Sequence, residues 1–164
     1  MEVFDAIKNR KSIRKYKPEK ISKEKIDILI EAGRLAPTAA NKQNFKLIIV
    51  DNEDIKKRLI VACNNQKFVG TASHVIAGTT DPDWKWNQVD LAIVFEHIVL
   101  EAFELGFGTC WIGAFNEKEV KKILEIPANI KVVALLAIGF PDETPEQSSR
   151  KMVEDIVSYN KYNY

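Results

Sequence analysis

The run VVALLAIGF at 132–140 is the feature that most limits what this chain can fold into. All nine of its residues are apolar or glycine. A membrane helix needs about 18 uninterrupted apolar residues, so this run is too short to be one. Its length and its valine and isoleucine content are typical of a buried strand. The sequence therefore predicts a strand at 132–140 inside the core of a domain.

Three shorter runs also predict strands, and helical patterns separate them. The strand candidates are FKLIIV at 45–50, which we interpret as buried, HVIAGTT at 74–80 and TCWIG at 109–113. Apolar spacing and capping residues predict five helices: one ending near Arg10, one from Ser22 to Leu35 before Pro37, 53–63, a long central one over 84–105, and one from Asn116 that Pro127 closes. This alternation, with more helix than strand, predicts an α/β or α+β sandwich.

Composition and charge exclude several classes of protein. The chain has 164 residues, of which 46% are hydrophobic and 29% charged, as expected for one globular domain. Its 24 Lys and Arg nearly balance its 23 Asp and Glu, so there is no general electrostatic signature of nucleic-acid binding. With no signal-peptide core and no membrane-length run, we expect a cytoplasmic protein.

Cysteine and histidine are too few and too scattered to predict a metal centre or a hydrolytic triad. Cys63 and Cys110 form no CxxC pattern and no disulfide framework, which favours a reduced compartment. His74 and His97 lack carboxylates or thiols at metal-ligand spacing. We therefore predict that no metal is bound and that both histidines are structural.

The densest positive charge lies in NRKSIRKYKP at 9–18. Such a run is most often a solvated face. However, Arg10, Ser12 and Arg14 are spaced two apart, so an extended segment would project all three side chains toward one anion. Tyr16 continues that series. Two further basic side chains of the run, Lys15 and Lys17, are expected to face solvent.

A second polar segment, LAPTAANKQNF at 35–45, follows the predicted second helix. One interpretation is that its Thr and Asn side chains only cap the helix end. The other is that Asn41 and Gln43, whose amides both donate and accept hydrogen bonds, recognise the edge of a heterocycle.

The glycines of LGFGTCW do not make a dinucleotide-binding fingerprint. Gly106 and Gly108 follow a helix and precede a strand, the reverse of the fingerprint's order, so we interpret them as helix termination and close packing. Gly113 could let a flat ligand approach the backbone. For Trp84 and Trp86, core packing and a stacking lid over a ligand both stay open.

Four segments in order resemble the nitroreductase family of FMN-dependent oxidoreductases: RKSIRKY, APTAANKQNF, LGFGTCWIGAF and the Arg150-Lys151 pair. The resemblance covers nearly the whole chain. It implies a single FMN-binding domain over 1–164 with an α+β fold, in which helices flank a mixed, mainly antiparallel sheet. It also implies an intertwined homodimer with two FMN sites at its interface.

By the same resemblance, Arg10 and Arg150 would hold the FMN phosphate and Arg14 would lie near the pyrimidine end of the flavin and tune it. The polar loop would reach the cofactor across the dimer interface, and the segment at 112–113 would run beside the flavin ring. The implied cofactor-binding residues are Arg10, Lys11, Ser12, Arg14, Pro37, Thr38, Ala39, Asn41, Gln43, Ile112, Gly113 and Arg150. Ala39 stands where serine is frequent in the family.

The resemblance implies that the flavin carries the chemistry and that no side chain is catalytic. Hydride would pass from NADH or NADPH to flavin N5 in a ping-pong cycle, and then to a nitro, quinone or similar small electron-poor acceptor. A flavin-binding or flavin-storage module without efficient turnover is the alternative. Reductive dehalogenation or oxidative flavin breakdown is a third possibility. The short chain implies that a helical excursion over the substrate pocket is reduced.

Overall fold

A computed structural model of the chain describes residues 2–162. Over this range the structure has six α-helices, four strands and two 3₁₀ turns. The helices are α1 Val3–Asn9, α2 Lys23–Arg34, α3 Glu53–Ala62, α4 Phe68–Thr71, α5 Asn87–Glu104 and α6 Glu117–Leu124. The strands are β1 Phe45–Val50, β2 His74–Thr80, β3 Gly108–Ile112 and β4 Lys131–Gly139, and the 3₁₀ turns are Ala39–Asn41 and Val153–Asp155.

The four strands form one sheet in the order β1-β2-β4-β3, and every neighbouring pair is antiparallel. The predicted strand at 132–140 is confirmed, because β4 lies between β2 and β3. An isolated parallel bridge joins Ser12 to Thr109 of β3 and makes the pairing mixed. The predicted α+β fold with a mainly antiparallel sheet is confirmed.

Helices cover both faces of the sheet, and β4 is buried on both. Leu135 contributes to the core on the side of α3, where it belongs to the same cluster as Leu59. Leu136 and Ile138 face the other side and cluster with Phe95 of α5. All of these side chains are fully buried. This two-sided burial explains why the run at 132–140 contains no polar residue.

Two details differ from the sequence-based expectations. The strand predicted at 45–50 is confirmed, but its burial is only partial, since Val50 is its one fully buried residue and β1 has a neighbour on one side alone among the described strands. The long central helix begins at Asn87 rather than at Trp84. A turn that starts at Asp81, whose carbonyl accepts the Trp84 N–H at 3.3 Å, delays the helix.

The polar tail crosses back over the N-terminal segment. The Asp142 N–H donates to the Lys15 carbonyl at 2.9 Å, and Gln147 Nε2 donates to the Lys8 carbonyl at 3.0 Å. These bonds bring residues from the two ends of the sequence to one side of β3. Nowhere in 2–162 is a helix both long and apolar enough to cross a membrane.

Candidate functional site

The segment at 10–14 is extended, the conformation that the spacing of Arg10, Ser12 and Arg14 requires to align their side chains, and it lies along β3. Its backbone is fixed by the Ile13 N–H, which donates to the Thr109 carbonyl at 2.9 Å. Ile13 is buried, whereas Arg14 is exposed. A Cβ on Gly108 would lie 2.6 Å from Ile13 Cγ1, so this close approach requires glycine. Gly106 has a φ of 81° directly after α5, so both glycines have the structural roles expected for them.

The prediction that Tyr16 continues the alternating series is wrong. The Tyr16 side chain lies in the core, and its hydroxyl donates to the Ile13 carbonyl at 2.7 Å. Burial raises the pKa of this phenol far above its usual range. The segment meets Pro141 at Tyr16 in a separate antiparallel bridge, so the parallel alignment with β3 does not extend this far. Lys15 is exposed and pairs with Asp142 at 3.1 Å.

Four of the predicted residues meet Arg150 around one cavity of about 320 Å³, which we call the basic cavity. Four cationic side chains line it against the single carboxylate of Glu146. Guanidinium groups and a serine hydroxyl are good donors to phosphate oxygens, so this lining suits a phosphate. Its walls are formed by Arg10, Lys11, Ser12, Arg14, Pro145, Glu146, Gln147, Ser148 and Arg150.

Hydrogen bonds fix the two walls of the basic cavity to each other. Lys11 Nζ donates to the Pro145 carbonyl at 2.6 Å, and the Arg14 N–H donates to the Glu143 carboxylate. Arg150 Nη1 donates to the carbonyl of Ser148 at 3.0 Å and also bonds the next carbonyl. The sequence analysis missed Glu143, which organises the segment from the tail.

The loop at 37–43 lies outside the basic cavity within one chain. None of its five predicted residues lines that cavity, and Gln43 lines a different one, of about 890 Å³, beside β1. Gln43 Nε2 donates to Asn41 Oδ1 at 3.2 Å, and both side chains are exposed. The predicted residues of this loop are Pro37, Thr38, Ala39, Asn41 and Gln43.

A buried carboxylate connects this loop to α5. Asp90 Oδ1 accepts the Ala39 N–H at 2.8 Å, and Asp90 Oδ2 accepts the Trp84 indole N–H at 2.8 Å. Trp84 is half-buried, but Trp86 is 42% exposed, with Lys85 Nζ 4.9 Å from its ring centroid. Core packing therefore does not describe Trp86. Sequence reasoning did not identify Asp90.

The two residues at 112–113 differ in burial. The Ile112 side chain is in the core, so only its backbone could border a ligand. Gly113 is exposed, and a Cβ there would meet no atom within 4 Å. The assignment of both residues to the flavin stays a prediction.

Burial favours the neutral forms of both thiols and of the His74 imidazole. Burial raises the pKa of the Cys63 thiol to about 11, and it also raises the pKa of Cys110. His74 Nδ1 lies 2.9 Å from Ser73 Oγ, and burial lowers the pKa of this imidazole. In the range 2–162, no group of three or more His, Cys, Asp and Glu side chains is placed to hold a metal ion.

Comparison with known proteins relates this geometry to a family. The model of the Nitroreductase family matches residues 7–75 and 60–140. An Archaeoglobus fulgidus protein, provisionally named an NADH dehydrogenase/NAD(P)H nitroreductase, is 32% identical in an alignment of 152 positions that covers 87% of each chain.

Solved structures show the same relationship. A nitroreductase family protein from Clostridium novyi is 35% identical, with a TM-score of 0.84 over 90% of this chain and 89% of the other. A Vibrio harveyi NADPH:FMN oxidoreductase, solved with NAD⁺, shares the fold at 23% identity, with a TM-score of 0.93 over 99% of this chain and 78% of its own. Because the family model spans most of the sequence and the fold agrees, the chain belongs to the nitroreductase family of oxidoreductases.

Proposed function

We propose that this chain is an FMN-dependent oxidoreductase that carries electrons from NADH or NADPH to a nitro, quinone or similarly electron-poor compound. One observation carries the proposal: the basic segment at 10–14 and Arg150, from opposite ends of the sequence, line one cavity with a large excess of positive charge. The Vibrio harveyi protein that shares this fold is an NADPH:FMN oxidoreductase, which supports this choice of cofactors.

The residues of the basic cavity fit the phosphate of FMN, which carries about two negative charges at neutral pH. Arg10 and Arg150 are assigned to the phosphate, with Lys11 and Ser12 as further donors beside them. Bound FMN supplies hydride acceptance and electron transfer. Arg14, which Glu143 holds at the rim through its backbone N–H, is assigned to the flavin ring. A cation there favours the reduced, more negative cofactor.

We propose further that residues 1–164 act as one FMN-binding unit and that two copies form a homodimer. The loop at 37–43 lies outside the basic cavity of its own chain, so a second copy would bring it to the flavin. Apolar side chains on α1 and the tail also need cover, since Phe4 is 72% exposed and Ile156 is 68% exposed. Exposed apolar surface of this kind is typical of an interface.

The proposal is tested by titrating the flavin-free chain with FMN and measuring the dissociation constant. Arg10→Ala and Arg150→Ala should each weaken binding about tenfold or more, because each removes a charge-assisted bond to the phosphate. Lys17→Ala, which removes an exposed charge nearby, is the control and should bind as the wild type does. Unchanged affinity in both arginine variants would refute the phosphate assignment.

Anaerobic mixing with NADH and NADPH tests turnover. Rapid bleaching of the flavin by either donor, followed by reoxidation with a quinone, is expected. Failure of both donors to bleach it would favour flavin storage instead. For Arg14→Ala, we expect a lower flavin reduction potential with the fold intact, and an unchanged potential would remove the assignment of Arg14 to the ring.

A further inference from the structure

The carboxylate of Asp90 is buried and has two donors. Its exposure is 4%, and its two oxygens accept one N–H each, from the Ala39 backbone and the Trp84 indole, at 2.8 Å. Asp90 also lies in the first turn of α5, where the helix dipole favours negative charge. The carboxylate is therefore held in one orientation, directed at the loop at 37–43.

This loop has an unfavourable backbone conformation. Ala40, Asn41 and Gln43 have φ values of 51°, 53° and 50°. Left-handed backbone is unfavourable for residues that carry a Cβ, and Ala40 has no polar side chain to compensate for it. Such conformations persist where the surroundings hold them, and they are concentrated at functional sites.

Hydrogen bonds within the loop fix its backbone conformation, but they do not fix its position relative to α5. The Asn41 N–H donates to the Thr38 carbonyl at 2.9 Å, and the Gln43 N–H donates to Thr38 Oγ1 at 3.1 Å. The bond from Ala39 to Asp90 joins this preformed turn to the longest helix of the structure.

We propose that Asp90 is a positioning residue for cofactor binding, which acts through the Ala39 N–H to hold the left-handed turn with Asn41 and Gln43 facing outward. The Trp84 indole N–H occupies the second carboxylate oxygen and keeps the first one directed at Ala39. This inference rests on the proposed function, because the ligand that the turn receives is FMN.

The first experiment needs no cofactor. Hydrogen exchange of the Ala39 amide is measured in the flavin-free wild type and in Asp90→Asn, whose side chain has the same shape but only one acceptor oxygen. Exchange at Ala39 should rise about tenfold, because the bond to a charged carboxylate becomes at best a weaker bond to the one neutral amide oxygen, for which two N–H donors compete. Asp83→Asn removes an exposed carboxylate from the preceding turn and should leave this amide unchanged.

The second experiment measures FMN affinity and the visible absorption band of the bound flavin in the same variants. Asp90→Asn should raise the dissociation constant about tenfold and change the band, because the turn no longer meets the ring in one geometry. Asp83→Asn should do neither. If Asp90→Asn fails to fold, Trp84→Phe replaces it, since it keeps an aromatic side chain at this position but lacks the indole N–H that bonds Asp90. A several-fold weaker affinity is expected.

The role of Asp90 would be overturned if Asp90→Asn bound FMN with wild-type affinity and an unchanged absorption band. The same holds for Trp84→Phe where that variant is used instead. Either result would leave the proposed function standing. Unchanged exchange at Ala39 in Asp90→Asn would also overturn the role of Asp90. A wild-type chain that takes up no FMN would instead refute the proposed function itself.

Discussion

Replacing Gly108 by alanine tests how the core and the basic cavity depend on each other. The added Cβ would lie 2.6, 2.8 and 2.9 Å from Cγ1, Cβ and Cγ2 of Ile13. Ile13 cannot easily move away, because its N–H is bonded to the Thr109 carbonyl and its side chain is packed in the core. Either the extended segment or β3 must shift.

Overpacking of this kind costs about 1–3 kcal/mol, so we expect Gly108→Ala to lower the free energy of unfolding by that amount. Urea unfolding followed by far-ultraviolet circular dichroism measures it. Because Ser12 and Arg14 flank Ile13 and line the basic cavity, FMN affinity should fall in the same variant. The two losses have one cause, the displaced segment.

Two control variants test whether the clash with Ile13 causes the loss of stability. Gly113→Ala adds the same methyl group where no atom lies within 4 Å, and its stability should stay within about 0.5 kcal/mol of the wild type. In an Ile13→Ala background, Gly108→Ala should cost less, because two of the three clashing atoms are gone. Wild-type stability in Gly108→Ala, or an equal loss in both backgrounds, would refute the steric argument.

Three further predictions concern stability and reactivity. Asn52→Ala should destabilise the chain by about 1 kcal/mol in urea unfolding, since the Asn52 side chain caps α3 by accepting two N–H groups. Ser22→Ala should change the unfolding free energy less, because the Ser22 side chain makes no cap bond to α2. Burial lowers the pKa of His74 below the usual 6.5. The stability that the neutral imidazole contributes is therefore present above pH 6.5 and is lost as the pH falls through the lower pKa of the folded state. His74→Asn should flatten this part of the profile of unfolding free energy against pH. Cys63 and Cys110 are buried and have raised pKa values, so a disulfide reagent at mildly alkaline pH should label them only after denaturant is added, and fast labelling of the native chain would contradict this.

Local sequence patterns predicted the elements well where one periodicity decides the structure. The run at 132–140 is apolar on both faces of a strand that is buried on both sides, so its burial in the core could be predicted. The run at 45–50 has similar composition but lies at the sheet edge. Strand order depends on pairing between distant segments, and composition alone does not contain that information.

In the candidate site, too, local patterns could be predicted from the sequence and contacts between distant residues could not. The alternation of Arg10, Ser12 and Arg14 is a local property, and the structure brings these residues together. Asp90 and Glu143 were missed because their partners are distant: Ala39 lies 51 positions from Asp90, and Arg14 lies 129 positions from Glu143. A single acidic residue in a helix or tail has no local pattern that marks such a partner.

The position of β4 also determines when the chain can fold as it is synthesised. Of the four described strands it comes last in the chain, yet it lies between β2 and β3. Until residues 131–139 have left the ribosome, β2 and β3 have no strand to join them, and their edges stay open to wrong partners. Pairing between distant segments is slow, and open edges promote aggregation. We therefore expect a nascent chain to need protection from other chains until residues 131–139 have emerged and paired with β2 and β3.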